Sequence, residues 1–169
     1  MFKSLIVFVG LPGSGKSTYL KKLLRDMPED TFVYSTDTAV ERMCAEAGMT
    51  YDEGFKTFIR DAEKECKEGL RNAMDQHRDI VWDQTNLSAK KRKSIITRFD
   101  QHPNNYSKFL VNFFHTKEEH VPILAKRLAS RPGKTIPKEI VAAMVESYEK
   151  PTYDEGWEHI TNLPLGIEE

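Results

Sequence analysis

"LIVFVGLPGSGKSTYL", residues 5–20, sets an unbroken apolar run directly before a glycine-rich turn and a helix-forming segment. The run Leu5 to Val9 has strand length and suits a strand buried on both faces, as in a parallel sheet. The turn that follows, Gly10-Leu11-Pro12-Gly13-Ser14-Gly15-Lys16-Ser17, matches G-x-x-x-x-G-K-[ST] in full. Its glycines let successive backbone N–H groups converge on phosphate oxygens. Lys16 brings a point charge to the β- and γ-phosphates, and the Ser17 hydroxyl can ligate Mg²⁺. Gly10, Pro12, Gly13, Ser14, Gly15, Lys16, Ser17 and Thr18 are therefore the expected nucleotide contacts. The expected ligands are ATP and Mg²⁺. The motif does not say where a phosphoryl group goes.

Outward from this turn, strand-like runs recur at Thr31–Ser35, Asp79–Trp82 and Lys108–Phe114, with a weaker one near His159–Leu163. Helical patterns fall between them. From Thr50 to His77, Phe55, Phe58, Ile59, Ala62, Cys66, Leu70 and Ala73 form one apolar stripe. The other face of that helix, with Arg60, Asp61, Glu63, Lys64, Glu65 and Lys67, reads as solvated. Thr116-Lys117-Glu118-Glu119 has the pattern of a capping box opening a helix through Ala129. Pro137 fits the first position of a helix with Ile140, Val141, Met144, Val145 and Tyr148 on one face. Strands alternating with helices predict an α/β chain of the P-loop NTPase/kinase type. Its parallel sheet has four or five strands flanked by helices, in one domain over residues 1–169.

The bulk numbers fit. The chain has 169 residues, 39% apolar and 30% charged, ordinary for a globular protein. Lys plus Arg (25) nearly balance Asp plus Glu (26), for a net charge of −1, which argues against a broadly basic duplex-binding surface. Cys44 and Cys66 come with no metal-ligand spacing and read as free thiols. No apolar run approaches membrane-spanning length, so a cytoplasmic protein that does not bind membranes is expected. The sequence does not fix an oligomeric state.

The acidic residues separate the ways of using a triphosphate. A hydrolytic motor ends its acidic strand in Asp-Glu, whereas "DIVWDQTN" ends in Asp83 followed by Gln84. A GTPase needs N-K-x-D, and "TKEE" at 116–119 lacks its Asp. A kinase needs a carboxylate near the acceptor hydroxyl. Asp37, after "TFVYS", stands where it would face the γ-phosphate; it is equally placed to cap a following helix. Arg127 and Arg131 share a helical face and run into "SRPGKTI", so they can neutralise a transferring phosphoryl group or simply complement a helix C-terminus.

Together these segments resemble the kinase domain of the polynucleotide 5′-hydroxyl kinases. The resemblance is carried by "GLPGSGKST" (10–18), Asp37, "DQTNLSAKKR" (83–92), "KRLASRPGKTIP" (126–137) and "YEKPTYDEGWEHI" (148–160). It implies that Asp37 is the general base, and that Lys16, Arg127 and Arg131 hold the transferring phosphoryl group, with a lid at about 126–137. It also implies that Asp83, Thr85 and Asn86 lie beside metal and substrate, Asp83 joining Ser17 at the metal. Glu155, Gly156 and Trp157 are implied to be structural. Those kinases carry an Arg three residues after the base, on the acceptor phosphate; here that position is Val40, and only Arg42 can substitute. The D-x-D-x-T/V phosphatase motif of the family's longer polypeptides is not found.

The expected reaction is therefore ATP-dependent transfer of the γ-phosphate to the 5′-hydroxyl end of DNA or RNA. The alternatives are a nucleotide, nucleoside or hydroxymethyl-pyrimidine acceptor, or a regulatory module with little turnover. For a nucleic-acid partner, "SAKKRKSIITR" (88–98) offers Lys90, Lys91, Arg92, Lys93 and Arg98 to phosphates, Arg92 being the expected substrate contact among them, although the run reads equally as a basic, solvated helix face. Trp82, Tyr51 and Phe55 are available to stack on a base, although Trp82 and Phe55 fit core positions better.

Overall fold

The computed structural model describes residues 2–113 and 120–164. Among the described residues a five-stranded parallel sheet runs in the order β2-β3-β1-β4-β5. Its strands are β1 (Lys3–Val9), β2 (Phe32–Tyr34), β3 (Ile80–Trp82), β4 (Tyr106–Asn112) and β5 (His159–Asn162). The helices are α1 (Lys16–Asp26), α2 (Thr36–Glu46), α3 (Tyr51–Asp75), α4 (Ala89–Asp100), α5 (His120–Ala129) and α6 (Lys138–Ser147). Each expected strand is present within two residues of its expected start. The expected capping box at Thr116–Glu119 and the strand end at Phe114 lie outside the described residues. Pro137 is the N-cap of α6 rather than its first helical residue.

Period-two alternation in β1 splits the core between the two sheet faces. Leu5, Val7 and Val9 join Val40, Leu70, Ile80, Ile95 and Phe99 on one side. Phe8 joins Val81, Val111 and Phe113 on the other, where Tyr19, Leu20 and Leu23 of α1 cover them. Trp82 is 3% exposed, in the core as expected. The α3 stripe holds at Ala62, Cys66, Leu70 and Ala73 but breaks at its N-terminal end: Phe55 is 37% exposed. Cys44 and Cys66 are buried free thiols. Among the described residues no helix is long and apolar enough to cross a membrane.

The central strands place the functional loops. β1 lies between β3 and β4, so the turn after β1 and the turn after β3 open side by side at the carboxyl edge of the sheet. The Gly10 N–H donates to the Thr85 carbonyl (3.0 Å), tying those two turns together.

Candidate active site

The turn after β1 is shaped as the motif requires. Gly13 (φ 83°) and Gly15 (φ 99°) occupy left-handed backbone that side chains resist. Gly10 is needed for space instead, because a Cβ there would sit 2.6 Å from Ser14 Oγ and 2.8 Å from Phe113 Cβ. α1 starts at Lys16 with no side-chain cap and no acidic residue in its first turn, which leaves its N–H groups for an anion. The Lys16 ammonium folds into the turn, donating to the carbonyls of Gly10 (2.8 Å) and Leu11 (2.9 Å). Burial pulls its pKa down to about 8, against the opposing pull of Asp83 and Asp37; Arg131 and Lys134 push the same way as burial.

A cleft of about 1500 Å³ opens in front of this turn. Lys16, Asp37, Asp83, Arg127, Arg131 and Lys134 all line it, as do Pro12, Gly13, Gly15, Ser17, Thr18, Thr85 and Asn86. Ser35, not Asp37, caps α2, its hydroxyl accepting the Thr38 N–H at 3.3 Å. Asp37 therefore has both carboxylate oxygens turned to the cleft's partners: Oδ1 accepts the Tyr51 hydroxyl (2.8 Å) and Oδ2 the Lys134 ammonium (3.1 Å). Burial and the facing carboxylate push the Tyr51 phenol well above its usual range. Asp83, at the end of β3, is pushed up by burial while Lys16 pulls it back. One Arg127 nitrogen donates to the Gly13 carbonyl (3.2 Å), which brings α5 onto the glycine-rich turn.

Two expected substrate contacts lie elsewhere. Arg42 is held by Glu65 through two contacts (2.7 and 2.6 Å) and by Glu46 (3.0 Å), outside the cleft lining. Arg92 is wholly buried, and its N–H groups go to Glu155 and to the carbonyls of Asn86, Leu87 and Glu149. It holds the turn after β3 in place and faces no ligand. Asn86, buried at φ 45°, donates its amide to the Phe8 carbonyl (2.8 Å) and so fastens that turn to β1.

Sequence reasoning missed Lys134. Its ammonium reaches Glu41 (2.7 Å) as well as Asp37 and lies 4.2 Å from the centre of the Tyr51 ring. Beside it, Asp52 accepts the Thr135 N–H (2.9 Å) and hydroxyl (2.8 Å), bonds that hold its carboxyl below the usual range. The loop after α5 is thus docked on the start of α3. Its sequence, "SRPGKTI", advertised a loop, but no local spacing announced partners on α2 and α3.

The donor set fits a triphosphate with a hard cation. Ser14 Oγ is buried in the turn without a partner. Ser17 and Asp83 offer oxygen ligands, while no cluster of three or more His, Cys, Asp or Glu among the described residues makes a metal cage. Mg²⁺ is commonly held in that way, by one or two protein oxygens plus substrate phosphates.

A family model described as "AAA domain" matches residues 5–151. The chain belongs to that family. It is 26% identical over 157 residues to the L-seryl-tRNA(Sec) kinase of Methanococcus maripaludis, an alignment covering 91% of this chain and 56% of that protein. The chain thus matches little more than half the length of this relative. Among solved structures, a fungal RNA kinase aligns over all of this chain and 78% of its own at a TM-score of 0.62 and 16% identity. Chaetomium thermophilum Kti12 in complex with ADP-AlF3 aligns over 98% of this chain and 91% of its own at 0.63 and 19%. The architecture is the P-loop kinase fold.

Proposed function

We propose that this protein is an ATP- and Mg²⁺-dependent kinase that phosphorylates a hydroxyl carried by a nucleic acid, in the first place the 5′-hydroxyl end of RNA or DNA. The observation that carries this reading is the meeting of Lys16, Asp37, Asp83 and the two arginines of α5 and its following loop around one cleft. Ser17 and Asp83 would hold the metal, and the turn from Gly10 to Thr18 the phosphates. The bound triphosphate supplies the phosphoryl group. Asp37 takes the proton as the acceptor oxygen bonds to phosphorus and the bond to the β-phosphate oxygen breaks. Lys16, Arg127 and Arg131 meet the charge on the equatorial oxygens. Tyr51 and Lys134 fix the Asp37 carboxylate in position.

A second acceptor, a seryl hydroxyl on tRNA, has one specific support. Asp37, Glu41 and the Tyr51 ring already surround one ammonium, that of Lys134, a setting that also suits an α-ammonium group. The named activity of the Methanococcus relative gives this reading its precedent. Incubation with γ-labelled ATP and, separately, 5′-hydroxyl RNA, 5′-hydroxyl DNA, seryl-tRNA, hydroxymethyl-pyrimidine DNA and mononucleotides sorts these cases. Label in 5′-hydroxyl RNA or DNA supports the first reading. Label in seryl-tRNA alone moves the assignment to the second, and label only in mononucleotides refutes both.

The buried lysine predicts a pH dependence. Lys16 must be protonated to hold phosphate, and in the free protein it loses its proton near pH 8. ADP affinity is therefore expected to be flat below that pH and to fall above it, by a limit of roughly tenfold per pH unit. Titration calorimetry across this range measures it. Lys16→Arg, charged throughout, should bind with no inflection there; the same inflection in that variant would move the titrating group elsewhere.

A further inference from the structure

The face of α3 that sequence patterning reads as merely solvated meets α4 in a shallow groove of about 450 Å³. Arg60, Lys64, Lys67 and Arg71 enter it from α3, at spacings of four, three and four residues that keep them on one side of the helix. Arg98 enters from α4. Among the described residues Glu63 and Glu68 are the only carboxylates in the lining, so five cations face two anions. Among the described residues no ion pair joins any of the five to a carboxylate. An exposed row of this kind suits a ligand with a repeating negative charge.

The groove and the cleft share helix α4. Lys91, early in α4, lines the cleft and lies 5.8 Å from the centre of the Trp82 ring. Partial burial and then the nearby charges of Arg98 and Lys67, both groove residues, pull its pKa down. Seven residues, about two turns, separate Lys91 from Arg98, so one face of α4 carries a cation at the cleft and another at the groove. From Arg60 to Arg71 the row covers eleven steps of about 1.5 Å, roughly 16 Å. One strand of a stacked nucleic acid presents about five phosphates over that length, at ~3.4 Å each.

We propose that the α3–α4 groove binds the phosphodiester backbone of the strand whose hydroxyl is phosphorylated, so that the acceptor is gripped several nucleotides away from its reacting end. This rests on the nucleic-acid reading of the acceptor. It also accounts for the acceptor side: with Val40 buried and Arg42 held by Glu46 and Glu65, neither is free to grip an acceptor phosphate beside Asp37.

The test uses a variant with Arg60, Lys64, Lys67 and Arg71 all changed to Gln, exposed positions outside the catalytic cleft. Fluorescence anisotropy without nucleotide measures binding of 5′-hydroxyl RNA of two and of twenty nucleotides across a salt series. Phosphorylation of both is then assayed. The wild type is expected to favour the long strand at least tenfold in kcat/KM, through KM. Its log–log salt slope should be near −3, as about four or five neutralised phosphates on a single strand give. The variant should lose the length preference and most of the slope while phosphorylating the dinucleotide as before. Retained length preference and slope in the variant overturn the groove, as does a wild type indifferent to length. If no acceptor is phosphorylated but long RNA still binds with a slope that the variant loses, the groove stands and the kinase reading fails. Phosphorylation without length preference does the reverse.

Discussion

Asp37→Asn should lower kcat by about 10²–10⁴-fold while leaving ADP binding within twofold of the wild type, because general-base assistance is worth about that much and the residue lies outside the phosphate turn. Asparagine keeps the size of the side chain: its one amide oxygen can accept from Lys134 while its NH2 donates to the Tyr51 hydroxyl, the two groups that position the carboxylate. It cannot take a proton. A loss confined to kcat therefore reads the proton step. A loss of nucleotide affinity of the same size would mean that residue 37 belongs to the nucleotide's side of the cleft. Lys134→Met should show a milder version, because it removes the ammonium that links the loop after α5 to Asp37 and Glu41 and leaves the Asp37 carboxylate intact.

The second large effect concerns stability. Glu155→Ala should destabilise the protein by about 3–5 kcal/mol, the usual result of stripping the partner from a buried charge. Arg92 is 0% exposed in its side chain and Glu155 11%, joined at 2.7 Å, so the guanidinium would be left in the core without a counter-charge. At about 2–4 °C per kcal/mol for a chain of this size, the thermal midpoint falls by on the order of 10 °C. Activity should fall with it, since Arg92 holds the carbonyls of Asn86 and Leu87 in the turn that carries Asp83 and Thr85. Burial works to raise the Glu155 carboxyl, but the bonds from Arg92 and Trp157 outweigh it and hold it below the ordinary 4.5. A lowered folded-state pKa contributes stability above the unfolded value, and that contribution drains away as acid protonates the folded carboxylate. Circular-dichroism melts of Glu155→Ala against wild type, at neutral and acid pH, check both statements. Equal midpoints at neutral pH would contradict the first, and a gap that fails to narrow in acid the second.

The contrast between Lys16 and Arg92 explains how much the sequence could reveal. Lys16 belongs to a motif whose partners lie within a few residues, so its place in the turn and the strand and helix around it were legible. The strands were legible because apolar runs announce two-sided burial. Arg92 sits in a run of cations that looked like a phosphate-binding strip, yet its partner Glu155 is 63 residues away and only the fold brings them together. Arg42 failed for the same reason, through Glu65, 23 residues on. Lys134 reaches Asp37 across 97 residues, which no local spacing reports. Phe55 fits the α3 stripe by period, but it lies in the part of the helix that walls the cleft, where it stays 37% exposed. Local motif and spacing thus pointed to the turn after β1 and to Arg127 and Arg131, which line the same cleft. They could not separate a cation facing a ligand from one spent inside the protein.

Phosphorus NMR of one reaction, enzyme with MgATP and 5′-hydroxyl RNA in equal amounts, tests the central claim most directly. A phosphate monoester signal should grow in step with ADP, with little inorganic phosphate beside it, and Asp37→Asn should slow that growth by about 10²-fold or more. Inorganic phosphate as the main product from wild type, whether 5′-hydroxyl RNA, 5′-hydroxyl DNA or seryl-tRNA is supplied, would contradict transfer to an alcohol and make the cleft a site of hydrolysis.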